Sequence, residues 1–166
     1  MYVLDANVFI SAHRGYYDFD LAPSFWKSLV SHASQNNICS IDKIQDEIIS
    51  PNPKEKDPDR LHLWSAENFK DYFEKTDSLD VIESYAEIQQ WAYNNPQFTA
   101  SAKDEFARNA DAWLIAYAKS KQHTLVTHEA YNPEMKKRIL IPVVCREFNV
   151  NYVNTFEMLR NLQVSF

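Results

Sequence analysis

The chain opens with a short apolar run, Tyr2-Val3-Leu4, that stops at Asp5, and a second apolar group, Val8-Phe9-Ile10, follows with different spacing. This pattern predicts a buried strand running into a helix. An aromatic-rich loop, Tyr16-Tyr17-Asp18-Phe19-Asp20, closes at Pro23; beyond it Phe25, Trp26, Leu29 and Val30 fall on one helical face, with Ser24 the expected cap. Ile38-Cys39-Ser40-Ile41 reads as a second strand. Asp42 is the expected N-cap of the helix that follows, where Ile44, Ile48 and Ile49 are apolar and Glu47 shares the Ile44 face through its i+3 spacing.

Three prolines among charges, from Pro51 to Pro58, make the clearest break in the chain. The roughly 45 residues before it are too few for an independent domain without staples. From about 60 to 122 the pattern is helical, with Leu61, Trp64 and Phe69, then Val81, Tyr85, Ile88, Trp91 and Ala92, interrupted at Asn94-Asn95-Pro96. Leu125-Val126-Thr127 and Asn151-Tyr152-Val153 read as a third and a fourth strand, and Pro142 as the start of a short helix. Strands separated by helices predict a three-layer α/β domain around a parallel sheet.

Composition narrows the chemistry. With 45% hydrophobic and 14% aromatic residues in 166, the chain buries a sizeable core. Its one glycine, Gly15, excludes a Walker loop, a G-x-G-x-x-G turn and a G-x-S-x-G elbow, each of which needs at least two. The formal charge of −6 leaves no global basic footprint, so contact with nucleic acid must rest on a local patch or on metal ions. Cys39 and Cys145 form no C-x-x-C pair and the five histidines no H-E-x-x-H, which speaks against structural zinc. Without an N-terminal basic and apolar leader or a membrane-length apolar run, the expectation is a cytoplasmic protein with reduced thiols and no membrane association.

Four carboxylates stand out by position: Asp5, Glu47, Asp111 and Glu129 each interrupt or end an apolar segment. In an open parallel sheet, ligands bind beyond the carboxyl ends of the strands, where acids after the first and third strands would lie. If Asp111 to Lys121 is helix, it carries the chain about 15 Å away. A strand from Thr124 to Glu129 brings it back by roughly 16 Å, so Asp111 and Glu129 return to one level. Carboxylates gathered in a partly buried mouth repel one another unless a cation or proton intervenes. Mg²⁺ or Mn²⁺ is the natural partner, being hard and oxygen-seeking. Such an ion can activate a water and neutralise charge on a phosphodiester, which is nuclease chemistry without a histidine base. Asn7, Ser11 and Thr127 are placed to hold a water beside it. Taken singly, each acid has an ordinary explanation as a cap, a solvated helix residue or a loop acid. Only their order and surroundings carry the reading.

Those surroundings are Val3-Leu4-Asp5-Ala6-Asn7-Val8-Phe9-Ile10, then Glu47, then Asp111-Ala112-Trp113-Leu114-Ile115-Ala116-Tyr117-Ala118, then Leu125-Val126-Thr127-His128-Glu129. Over nearly the whole chain they resemble the ordered acidic motifs of the PIN (PilT N-terminus) domain ribonucleases. Within that superfamily the chain looks like a little-characterised subfamily, a domain of unknown function; VapC-type toxins are the best-known bacterial relatives. The resemblance implies a Rossmann-like α/β/α fold over residues 1–166, with a central, mainly parallel sheet of four or five short strands. It also implies a helical insertion at about 60–105 beyond a minimal member. The implied activity is endoribonuclease hydrolysis of RNA with Mg²⁺ or Mn²⁺, as the toxin of a toxin–antitoxin pair with a small antitoxin as partner. Asp5, Glu47 and Asp111 take the places of the main catalytic and metal-binding acids, and Glu129, standing where the family more often has Asp, is the fourth, its longer side chain reaching the metal directly or through water. Asp46 replaces Glu47 as ligand if that helix is rotated.

Beside the acids, Arg14 and the run Lys136-Lys137-Arg138 are candidates to neutralise an RNA backbone; the bland alternative is a solvated basic turn. Tyr16, Tyr17 and Phe19 either stack on unpaired bases or close the core over a helix, the commoner use of aromatics. His128 is expected to point away from its neighbours in an alternating strand. Rival functions are a catalytically weak RNA-binding or partner-binding protein, a deoxyribonuclease, and a phosphatase whose motif would want an acid where Asn7 stands. The sequence is compatible with a monomer and with a homodimer.

Overall fold

A computed structural model describes residues 1–15, 17–49 and 59–164. Tyr16 and the proline-rich break at 51–58 lie outside the described residues. Five strands, β1 (Tyr2–Leu4), β2 (Ile38–Ile41), β3 (Phe73–Glu74), β4 (Thr124–Val126) and β5 (Tyr152–Val153), form one sheet in the order β3-β2-β1-β4-β5. Every neighbouring pair is parallel. Such a sheet needs both faces covered, which is why Val3, Leu4, Ile38, Ile41, Leu125 and Val126 form apolar runs with almost no exposed area. The buried hydroxyl of Ser40 is satisfied by donating to the Leu4 carbonyl at 2.7 Å.

The helices cover the sheet in a three-layer α/β/α arrangement. They are α1 (Ala6–Arg14), α2 (Pro23–Ser34), α3 (Asp42–Ile49), α4 (Arg60–Trp64), α5 (Leu79–Asn94), α6 (Ala100–Arg108), α7 (Asp111–Lys121), α8 (Ile141–Glu147) and α9 (Thr155–Asn161). α7 packs along α5 and reaches β2 and β4, whereas α1 packs on α3 and α4. From Ala112 to Ala118 every residue of α7 except Trp113 is buried, as expected of a helix enclosed on nearly all sides. Its C-cap, Gln122, takes a left-handed conformation (φ 55°) that turns the chain back into β4.

The first strand-to-helix step, the stop of α5 at Asn94 and the proline-led α8 match the sequence pattern. Three readings are corrected. Helix α2 begins at Pro23, not after a Ser24 cap, because proline's fixed φ suits a first helical turn. The stretch from 60 to 105 is not wholly helical: after α4, a π turn (Ser65–Phe69) and a 3-10 turn (Lys70–Tyr72) deliver β3 to the sheet edge. Two residues cannot display a period-2 alternation, so this strand left no signature. The third strand ends at Val126 rather than running on to Glu129. The aromatic loop takes the packing role: Tyr17 stacks on Phe25 at 4.8 Å and Phe19 on Trp26 at 4.2 Å.

Candidate functional site

The strand order places the site. From β1 the chain moves outward through β2 to β3, then crosses back to β4 and β5 on the other side, so the connections diverge between β1 and β4. Ligands of open α/β sheets bind at the carboxyl ends of strands flanking such a divergence. Leu4 pairs with Val126 in register, so the next residues, Asp5 and Thr127, emerge side by side. The Thr127 hydroxyl donates to Asp5 Oδ2 at 2.9 Å. Asp5 is the N-cap residue of α1, and the backbone N–H groups of Asn7 and Ala6 oppose the rise that burial imposes on its pKa.

A cleft of about 540 Å³ opens there, lined by Asp5, Glu47, Asp111 and Glu129 together with Asn7, Lys43, Asp46, Asn109, Trp113 and Arg138. Asp5 is 2% exposed, and burial pushes its pKa up against the opposing bond from Thr127. Glu47 projects from α3 into water at the cleft mouth, while Ile44 and Ile48 anchor the helix beneath. Its pKa is raised by desolvation from the walls and then by the charge on Asp5. Asp111 opens α7, where the helix dipole favours a carboxylate. The burial of Asp111 and the charges of Asp5, Glu129 and Glu47, in that order, nevertheless push it up to about 8. A carboxyl raised by burial and like charges in a cleft, against a helix dipole, is a candidate functional group.

Glu129 is tied down on both oxygens. The Arg138 guanidinium donates to Oε1 at 3.0 Å and the Ile141 N–H to Oε2 at 2.7 Å. Its pKa is raised by burial, with those two donors working against the shift. Among the described residues, no group of three or more His, Cys, Asp or Glu side chains is drawn together tightly enough to hold an ion. The acids instead line the walls of an open cleft and repel one another.

A family model described as "Domain of unknown function (DUF4411)" matches residues 2–166. The chain belongs to this DUF4411 family. Comparison with curated proteins finds no match. Among solved structures the chain is similar to the "Crystal Structure of FitAcB from Neisseria gonorrhoeae", with a TM-score of 0.56 over 94% of this chain and 99% of that one. At 17% sequence identity, the likeness concerns the fold, which is PIN-like. No helix among the described residues is long and apolar enough to cross a membrane.

In this DUF4411 chain, Asn7 lines the cleft and lies 3.5 Å from Asp5 Oδ2. Thr127 acts through its bond to Asp5. Ser11, one turn further along α1, does not line the cleft, nor do Arg14, Lys136 and Lys137; only Arg138 of the basic run does. Asp46 and Glu47 both line it, and the charge of Asp5 contributes to the raised pKa of Glu47. The ring of His128 turns to Thr155, 3.0 Å from its hydroxyl. Two contributors were missed. Asn109 donates to Asp111 Oδ2 at 3.0 Å and accepts from the Asp111 N–H at 3.1 Å, fixing that carboxyl from two residues upstream. The Asn-x-Asp spacing carried a signal, since Asn side chains commonly bond backbone two residues on. Lys43 stands four residues before Glu47 and reaches over the Trp113 ring, 5.6 Å from its centroid.

Proposed function

We propose that this protein is a Mg²⁺- or Mn²⁺-dependent endoribonuclease acting as the toxin of a toxin–antitoxin pair. The observation that carries the reading is the convergence of Asp5, Glu47, Asp111 and Glu129 on one cleft at the sheet's switch point. The donor set fits a hard divalent ion: the nearby groups are oxygen donors, and such ions are often held by only one or two carboxylates with waters completing the shell. Asp5, Glu47 and Asp111 are the carboxylates that would share it, one or two directly and the rest through water. When bound, the ion offsets charge on a phosphodiester and lowers the pKa of an attacking water.

The chain's own residues do the rest. Thr127 orients Asp5 through its hydroxyl, and Asn109 orients Asp111. Glu129 adds negative field to the cleft and ties down the loop that carries Arg138. A partner antitoxin suits the same cleft, whose carboxylates offer paired acceptors for an inserted arginine. Co-expression with the neighbouring gene should yield a complex and relieve growth inhibition by this chain. Absence of both toxicity and complex would remove the toxin role and spare the nuclease.

The direct experiment is cleavage of defined RNA and DNA by wild type and Asp5→Asn, with and without chelator. Only wild type with divalent ion is expected to cut, and RNA rather than DNA. Equal cutting in every sample would defeat the reading, and preferential cutting of DNA would reassign the substrate.

Thr127→Val, close in shape, tests the support of Asp5. The hydroxyl stabilises the ionised carboxylate, so its loss lets burial push the Asp5 pKa higher still. The variant should bind Mn²⁺ several-fold more weakly, with a deficit that shrinks as pH is raised, because the ion must displace the proton. Calorimetric titration across a pH series checks this; a pH-independent deficit would point to lost packing instead.

A further inference from the structure

Glu129 and Arg138 do not behave as an acid waiting for an ion and a solvated base. The Glu129 side chain is 11% exposed and meets a separate donor with each oxygen, Arg138 Nη2 and the Ile141 N–H. Its own N–H donates to the Thr127 hydroxyl at 3.2 Å, and that hydroxyl donates to Asp5. Glu129 therefore links the rim of the cleft to its most buried acid, through its carboxylate to Arg138 on one side and through its backbone N–H and Thr127 to Asp5 on the other. At the outer end, Arg138 is 51% exposed, lines the cleft, and lowers the pKa of Asp111 against the surrounding acids. No hydrogen bond from its other guanidinium N–H groups to a described residue is present. The other basic residues of the cleft are held differently. Arg108 is 79% exposed and, among the described residues, pairs with Asp104 on its own helix at 3.9 Å, and Lys43 lies over Trp113.

Resting on the nuclease reading, we propose that Arg138 binds the substrate phosphate at the mouth of the acidic cleft and that Glu129 is its positioning residue rather than a direct metal ligand. A guanidinium is a planar fork suited to phosphate oxygens, and a buried carboxylate holding one edge leaves the other edge presented in a fixed direction. The pairing also explains how an acidic cleft in a chain of net charge −6 receives a polyanion: the one arginine anchored to a nearly buried acid stands at its entrance.

The test uses the full chain and a labelled single-stranded RNA, bound in Ca²⁺ and checked to remain intact on a gel. Arg138→Gln should weaken RNA binding about tenfold and reduce the slope of log affinity against log salt by about 0.7, the contribution of one phosphate contact on a single strand. Arg138→Lys should restore the slope but only part of the affinity. Glu129→Gln should resemble Arg138→Gln, and the double variant should fall within about threefold of either single one, because the two side chains act as one unit. Calorimetry with Mn²⁺ alone should show Arg138→Gln binding as tightly as wild type or tighter, and Glu129→Gln within about threefold of wild type. Thermal melts identify any variant that fails to fold, in which case the two Arg138 variants carry the test.

A tenfold or greater loss of Mn²⁺ binding in Glu129→Gln would make that residue a ligand and overturn the assignment. So would an unchanged RNA affinity and salt slope in Arg138→Gln. If wild type binds neither Mn²⁺ nor RNA, the nuclease reading falls and this inference with it. If wild type binds and cuts RNA while Arg138→Gln matches it, only this inference falls.

Discussion

Asp111→Asn is expected to lower cleavage by a factor of about 10²–10³, the scale seen when one charge-stabilising group is removed from an active site, and yet to raise the stability of the metal-free protein. Both effects have one cause. The Asp111 pKa is raised from 3.8 to about 8, first by burial and then by the charges of Asp5, Glu129 and Glu47. A carboxyl whose folded pKa lies above its unfolded one binds more protons when folded, so folding stability falls as pH rises from about 4 to about 8. At roughly 1.4 kcal/mol per pKa unit, the effect at pH 8 is on the order of several kcal/mol. Asparagine keeps an oxygen to accept from Asn109 and carries no charge. In chelator, the wild-type melting temperature should therefore drop between pH 5 and pH 8, and Asp111→Asn should flatten that drop. Mn²⁺ should raise the melting temperature of wild type at pH 8 and leave the variant nearly unmoved. A variant that melts below wild type in chelator at pH 8 would show that the carboxylate is not under the repulsion described.

Phe9→Ala should give the largest loss of stability. Phe9 is fully buried and touches Trp64, Phe69 and Phe73, with the Phe69 ring edge-on at 5.3 Å. It thus joins α1 to α4, to the π turn and to the edge strand β3 in one contact set. Truncating such a side chain costs about 3–5 kcal/mol, or a fall in melting temperature of roughly 6–20 °C for a chain this size. Leu21→Ala, at a side chain 77% exposed, should change stability by less than about 0.5 kcal/mol. Thermal or urea unfolding of the two variants decides the matter. A single cooperative transition in Phe9→Ala, shifted as a whole, is expected if the region from 60 to 74 is integral to the domain. A separate early transition would mean that this region is a loosely attached appendage.

Much of this molecule is written in local pattern. Apolar runs that stop at Asp5, Ile41 and Val126 mark strands covered on both faces, because a central parallel strand has no solvent side to encode. The distance arithmetic through α7 brought Asp111 and Glu129 to one cleft even though β4 ends three residues earlier than expected, since rise per residue is nearly as large in extended irregular chain as in a strand. Ser11, Arg14, Lys136 and Lys137 fall away from the cleft because proximity in sequence does not specify the direction of a helix face or a loop side chain.

The sequence by itself determined the alternation of elements, the parallel sheet and which four acids line one cleft, all of which depend on residue type, periodicity and chain rise. Only the tertiary structure decided that β3 closes the sheet edge, that Asn109 grips Asp111, and that Glu129 is engaged by Arg138 and the Ile141 N–H. The physical reason is that a two-residue strand and a side-chain hydrogen bond are short-range events between groups brought together by the packing of the whole chain. A residue's chemical type sets what it is able to bond; the fold selects the partner.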